Sequence, residues 1–217
     1  REIFLNQTLE DKHMPDGFLT LVEQNSSLDP VTYQYFNHLF NHRTIVFNTD
    51  VDTNIVETVI LPLKEFENDN NSSPVKLILS TPGGSVSDGL VLCNIIDNYK
   101  KPLEIYVMGY ACSMGTIILS SGNKNPNVKK YCYPFTFALF HSGYTAVDGE
   151  SLSVEDRIDF NRRVDHAIRD YVVSNTNITA QEYKEHERHQ WYLTAKEMKE
   201  KGLIDVIIGE VDEDVKD

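Results

Sequence analysis

Cysteine is scarce in this 217-residue chain, long hydrophobic runs are missing, and basic residues are in the minority. The three cysteines, Cys93, Cys112 and Cys132, are odd in number and unrelated in spacing. They offer neither a zinc pattern nor a paired framework, and they point to a reducing compartment. No apolar run approaches the ~18–20 residues of a membrane helix, and no signal-peptide stretch is visible, so no membrane partner is expected. With 20 basic against 33 acidic residues the net charge is −13. That balance argues against nucleic acid or an anionic membrane surface as the main partner. Hydrophobic residues at 41 % and charged residues at 24 % exclude wholesale disorder. A chain this long buries roughly 70–75 % of its unfolded surface, so the core needs no disulfide or metal. The expectation is a soluble, cytoplasmic α/β protein with no cofactor.

Along the chain, Gly17 to Gln24 reads as a short strand, and Asp29-Pro30 opens a helix running to His42. Thr44 to Phe47 is a short apolar strand, and Ile55, Val59, Leu63 and Phe66 share one face of a helix over 52–67. After a polar loop over 67–74, strand and helix alternate. Strands are predicted over 75–79, 103–108 and 135–140, with a helix over 86–99 and an apolar helical segment over 116–120. Such alternation implies βαβ units around a mainly parallel sheet, whose sites lie at the carboxyl ends of strands. The last third is helical. Ser153-Val-Glu-Asp156, Thr179-Ala-Gln-Glu182 and Thr194-Ala-Lys-Glu197 have the spacing of capping boxes, and a short strand over 203–208 closes the domain.

Strand ends direct attention to 81–84, 109–115 and 141. Pro82-Gly83-Gly84 exposes backbone N–H groups, although alone it reads as an ordinary turn. Ser113 stands at a strand-to-helix junction, where the following N–H can hold an oxyanion; a plain helix cap is the competing role. His141 ends a strand, where a core histidine is the competing role. Together the serine and histidine form a nucleophile-and-base pair.

Several ordered motifs then converge. Arg43-Thr-Ile-Val-Phe47, Ser80-Thr-Pro-Gly-Gly-Ser-Val86, Gly109-Tyr-Ala-Cys-Ser-Met-Gly115, His141 and Leu193-Thr-Ala-Lys-Glu-Met-Lys-Glu-Lys-Gly-Leu-Ile-Asp205 resemble the ClpP family, the proteolytic subunits of the Clp protease. The resemblance implies a ClpP/crotonase-like α/β fold with mainly parallel sheets and a protruding handle helix near 153–174. It also implies a serine endopeptidase with Ser113 as nucleophile, His141 as general base, and the N–H groups of Gly84 and Met114 as oxyanion hole. No metal is implied. The domain would span 22–209, between an N-terminal extension or axial segment over 1–21 and an acidic tail over 210–217. The implied substrates are unfolded polypeptides, the implied assembly is two stacked seven-subunit rings (a homo-tetradecamer), and the implied partner is an AAA+ unfoldase.

The family's aspartate is where this sequence departs. Alignment through Leu193-Thr194-Ala195 places Gln190 at that position, and a one-residue slip places His189 there. An amide can orient His141 but cannot offset an imidazolium charge. In the serine-protease template an amide for the carboxylate costs about 10⁴ in kcat. A catalytically weak or inactive structural subunit is therefore the alternative expectation. Weaker signals are His186-Glu-Arg-His189, one residue short of a zinc-protease motif and read as a solvated helix face, and His38 with His42, which lack a third ligand. Cys112 reads as packing.

Overall fold

The computed structural model describes residues 37–141, 143, 151–186 and 189–210. The expected strand over 17–24, the helix start at Asp29-Pro30 and the tail beyond 210 lie outside them. The chain divides into two units, Arg1–His42 and Arg43–Asp217. In the first, residues 37–41 are helical, and the His38 and His42 rings meet edge to face at 4.4 Å between centroids.

The second unit is built on a seven-stranded sheet. Strands β1 (Thr44–Phe47), β2 (Val75–Thr81), β3 (Leu103–Cys112) and β4 (Val128–Cys132) lie side by side in chain order, and β7 (Val206–Ile207) extends the row beyond β4. All these pairs are parallel. Two further strands, β5 (Phe137–Phe140) and β6 (Trp191–Thr194), leave the row: β5 runs parallel to the end of β3 and antiparallel to β6. Between the strands lie α1 (Leu61–Asn68), α2 (Val86–Asp97), α3 (Met114–Leu119), α4 (Ser151–Asn175), α5 (Ala180–His186) and α6 (Ala195–Glu200). The mainly parallel α/β architecture expected from the alternation is present.

Alternate residues of β2 and β3 (Leu77, Leu79, Ile105, Val107) are fully buried, and Leu92 and Ile96 of α2 join them in the core. Such burial contributes roughly 1.5–3 kcal/mol per large aliphatic side chain. One departure places the site. Leu79 pairs with Val107 but Thr81 pairs with Ala111, so β3 gains two residues on β2 and bends at Gly109. Past the bend, Tyr110–Cys112 pairs with Phe137–Leu139 of β5. The ends of β3 and β5 thereby lie side by side, with Ser113 and His141 the next residues on each.

Four elements differ from expectation. The helix over 52–67 is broken into a π-turn, Val56–Ile60, followed by α1. Pro62 lacks the N–H that an α-helix would bond to residue 58, and the Leu61 N–H donates to the Val56 carbonyl, five residues back. β4 was not expected, because Val-Lys-Lys-Tyr-Cys carries no apolar alternation. β6 was not expected either, being four residues directly before a capping box. That box is complete: Thr194 and Glu197 each accept from the other's backbone N–H. Thr179 likewise accepts from the Glu182 N–H at 3.1 Å. The helix expected from Ser153 starts two residues earlier, at Ser151, so Ser153 lies inside its first turn.

Two buried cations tie loops to this frame. Arg43, in a left-handed conformation (φ 56°), donates to the carbonyls of Ser73 and Phe66 and to Asp69, and its guanidinium lies over the Phe66 ring. Lys130 of β4 is 1 % exposed. Its Nζ donates to the Leu119 carbonyl at 2.7 Å and the Ser121 carbonyl at 3.0 Å. Burial lowers its pKa from 10.5 to about 7, against the pull of Asp205 and Asp97. A neutral amine still has two N–H groups for the two carbonyls, so the contact survives deprotonation.

The unfolded chain keeps the Lys130 proton to about 10.5, while the folded chain releases it near 7. Between those values the unfolded state binds more protons, so this group's contribution to stability rises with pH and is level below about 7. Relative to Lys130→Met, the wild-type chain is expected to gain stability from about pH 7 to about pH 8.5, by at most about 1.4 kcal/mol per pH unit, before unfolded thiols and phenols ionise. Urea unfolding of both proteins across that range measures it. A level or falling difference would mean that folded Lys130 keeps its proton.

Candidate active site

β3 ends at Cys112 and α3 begins at Met114, which leaves one residue to turn the chain. That residue is Ser113, with φ 54° and ψ −122°, a region that L-residues with a side chain rarely enter. Holding it there costs on the order of 1–3 kcal/mol. The conformation is fixed from both sides. The Ser113 N–H donates to the Leu139 carbonyl of β5 at 2.7 Å, and Thr116 Oγ1 reaches the carbonyls of both Ala111 and Leu139. Ser113 makes no side-chain cap bond to α3, so the plain helix-cap role is not the one it fills. Its hydroxyl stands on a sharp strand-to-helix turn, the backbone arrangement that presents a serine nucleophile.

Gly83 lies against this turn. A Cβ on it would sit 2.7 Å from the Ser113 Cβ and 2.8 Å from the Met114 N, so only glycine fits beside the serine. The neighbouring Gly84 (φ 146°) bridges to Val51, but the bridge uses the Gly83 carbonyl and the Ser85 N–H. In a parallel bridge the residue's own N–H then points to the opposite side. The Met114 N–H is one of the first, unpaired donors of α3. The two donors expected to form an oxyanion hole thus flank the serine on adjoining segments.

Ser113, Met114 and His141 all line one cavity of about 570 Å³. Phe140, Tyr183, His186 and Trp191 form an aromatic wall in it: Trp191 stacks on His186 at 4.3 Å and tilts against Phe140 at 5.6 Å. Helix α4 supplies Arg162, Asp165 and Arg169, the two arginines being paired with Asp159 and Asp170. Asp165 is the one carboxylate on the wall among the described residues. Gly84 and Gln190 are not on that wall. Gln190 is exposed, and its Oε1 accepts from the Tyr192 hydroxyl at 2.9 Å. His189 is also exposed, just beyond the end of α5.

Sequence spacing missed the aromatic wall. Spacing alone predicts a solvated helix face for His186, yet α5 ends at His186, and its ring turns onto Trp191. The adjacency of Trp191 to a strand-forming Tyr-Leu-Thr was the available signal. Burial pushes the Cys112 thiol up, as expected for a packing residue. Among the described residues no cluster of His, Cys, Asp and Glu could hold a metal, and no helix is long and apolar enough to cross a membrane.

The Clp protease family model matches residues 26–211. The chain is 30 % identical over 197 residues to the ATP-dependent Clp protease proteolytic subunit of Streptococcus uberis. It is 31 % identical over 201 residues to the subunit of the same name from Lactococcus lactis subsp. lactis, and 28 % over 196 residues to that of Streptococcus mutans. Each match covers 88 % of this chain and 96 % of the relative. A strained serine at the end of a parallel strand, a histidine on the same cavity wall and a family match over nearly the whole chain lead to one conclusion: this chain belongs to the Clp protease family.

Proposed function

We propose that this protein is a serine endopeptidase subunit that cleaves unfolded polypeptides through an acyl-enzyme formed on Ser113. The observation that carries this reading is the left-handed backbone of Ser113 on a cavity wall shared with His141. Strain of this kind persists where function repays it. His141 takes the Ser113 hydroxyl proton as Oγ attacks the peptide carbonyl, and the N–H groups of Gly84 and Met114 hold the resulting oxyanion. The intermediate collapses, the C–N bond breaks, and the amine leaves with the proton from His141. Water then gives its proton to His141 and attacks the ester, returning Ser113 and releasing the carboxyl product. The substrate lies extended beside the Gly84 segment, pairing with its free backbone groups. Gln190 is engaged by Tyr192, so His141 works without a relay through position 190.

The relatives' name, ATP-dependent Clp protease proteolytic subunit, supports a partnership with an ATP-driven unfoldase. The family supports seven-subunit rings stacked as a tetradecamer, with α4 between rings, acting in the cytoplasm. Size-exclusion chromatography with light scattering is expected to give a seven- or fourteen-subunit particle; a monomer at micromolar concentration across ordinary salt would reject the assembly.

Ser113→Ala is expected to abolish hydrolysis of a fluorogenic peptide and labelling by a fluorophosphonate, without altering the assembly. Wild-type turnover in the pure variant would end the serine mechanism, and a wild-type chain that neither labels nor cleaves would point to a structural subunit.

Gln190→Asp is expected to leave turnover within about twofold, because Tyr192 would hold the carboxylate as it holds the amide. Steady-state kinetics at matched assembly state decide it; a rise of about tenfold, worth ~1.4 kcal/mol, would make position 190 the third member.

A further inference from the structure

Lys130 has no part in the proposed acyl transfer, yet it is bonded to the helix that carries the nucleophile. α3 has six residues, so the last four of its carbonyls lack a partner within the helix. The whole helix is buried, so these carbonyls call for donors from the protein. Each is met in another way. The Ser120 Oγ and N–H donate to the Thr116 carbonyl, and the Cys93 thiol to that of Ile117. The Ser121 Oγ donates to Ile118. Lys130 Nζ spans the carbonyl of Leu119, the last residue of the helix, and that of Ser121, two residues beyond it.

The lysine is itself held in place. Its backbone N–H donates to Asp205 Oδ2 at 2.7 Å, and β4 is paired on both sides, to β3 and β7. The adjoining turn is fixed by Asp97, which accepts from the Gly122 N–H and the Tyr171 hydroxyl, both at 2.6 Å. One end of α3 is therefore anchored to β5 through Ser113 and Thr116, and the other to β4 through Lys130.

We infer that Lys130 is a positioning residue for Ser113: by gripping the carbonyls at the far end of α3, it stops the helix from sliding along its axis. The inference rests on the serine mechanism proposed above. A six-residue helix is a rod of about 9 Å, so a shift at its last turn is passed to its first. The strained Ser113 conformation gives such a shift a downhill direction. A misplacement of about 1 Å at a reacting atom can cost on the order of 10²-fold in rate.

The test uses the full-length assembly and Lys130→Met, which keeps the length of the stem and removes the donors. Amide hydrogen exchange is followed over residues 113–122 and over β1 and β2, with fluorogenic-peptide kinetics below the unfolding temperature. Faster exchange confined to 113–122, kcat reduced about tenfold or more, and KM within about twofold are expected. Lys130→Arg, which keeps donors on a long stem, should recover most of kcat. Wild-type kcat in folded Lys130→Met, or an exchange increase spread evenly over the chain, would overturn the inference. Should Lys130→Met fail to fold, Lys130→Gln, whose amide is too short to span both carbonyls, is held to the same criteria. If the wild-type chain neither labels nor cleaves, the serine mechanism has failed instead, and the exchange pattern over 113–122 alone decides the role of Lys130.

Discussion

The hydrogen bond from the Ser113 N–H to the Leu139 carbonyl is where sheet, helix and cavity meet. It can form only because β3 outruns β2 by two residues, bends at Gly109 and takes β5 as a new neighbour. Once formed, it continues the β3–β5 pairing one step past Cys112 and leaves no room for Ser113 to relax toward a helical conformation. Thr116 makes the arrangement cooperative, since one hydroxyl serves the ends of both strands. Gly83 completes it by letting the β2 turn approach within contact of the serine. None of these contacts is strong alone, each being worth about 1 kcal/mol net, but they share atoms and stand or fall together.

A chain with 33 acidic residues has only 20 basic ones, yet among the described residues Arg43 and Lys130 are buried. Arg43 and Lys130 do similar work. Each reaches main-chain carbonyls that no secondary-structure ladder serves, beside a parallel sheet whose connections must turn sharply. Burying a cation is costly unless it is bonded in this way. Burial is why Lys130 holds its proton weakly, and the paired carbonyls are why it can be there at all.

The legible parts of the sequence were those where one local rule governs. Thr44–Phe47, the strand from Val75 and the strand from Leu103 are apolar runs bounded by turn residues, and Thr194-Ala-Lys-Glu197 is a cap whose partners are three residues apart. The positions of Ser113 and His141 at neighbouring strand ends followed from the same periodicity. What was not legible depends on distant partners. β4 contains a lysine that is buried only because α3 ends above it. β6 exists only because β5 offers an edge. The aromatic wall draws on Phe140, Tyr183, His186 and Trp191, which no spacing rule connects. The partner of Gln190 is two residues away, but whether an exposed amide faces a tyrosine or a histidine is settled by strand orientation, not by alignment.

The amide at position 190 changes the electrostatics of the cavity less than a count of lost charges implies. In the transition state of the acyl transfer proposed above, His141 gains a positive charge as the substrate oxygen gains a negative one, so the reacting pair is neutral from a distance. Cations on the wall favour one half of that pair and oppose the other. Arg162 and Arg169 are moreover matched by Asp159 and Asp170. What survives cancellation is short-range: the two backbone N–H groups proposed as the oxyanion hole, and whatever fixes the imidazole. The N–H groups belong to Gly84, beside the Val51 bridge, and to Met114, at the head of α3, and neither depends on residue 190. Preorganised donors of this kind are worth about 10²–10³ in kcat each. In the serine mechanism proposed above, the rigid frame around Ser113 thus carries a share of catalysis that residue 190 does not touch, and the grip on α3 belongs to that share.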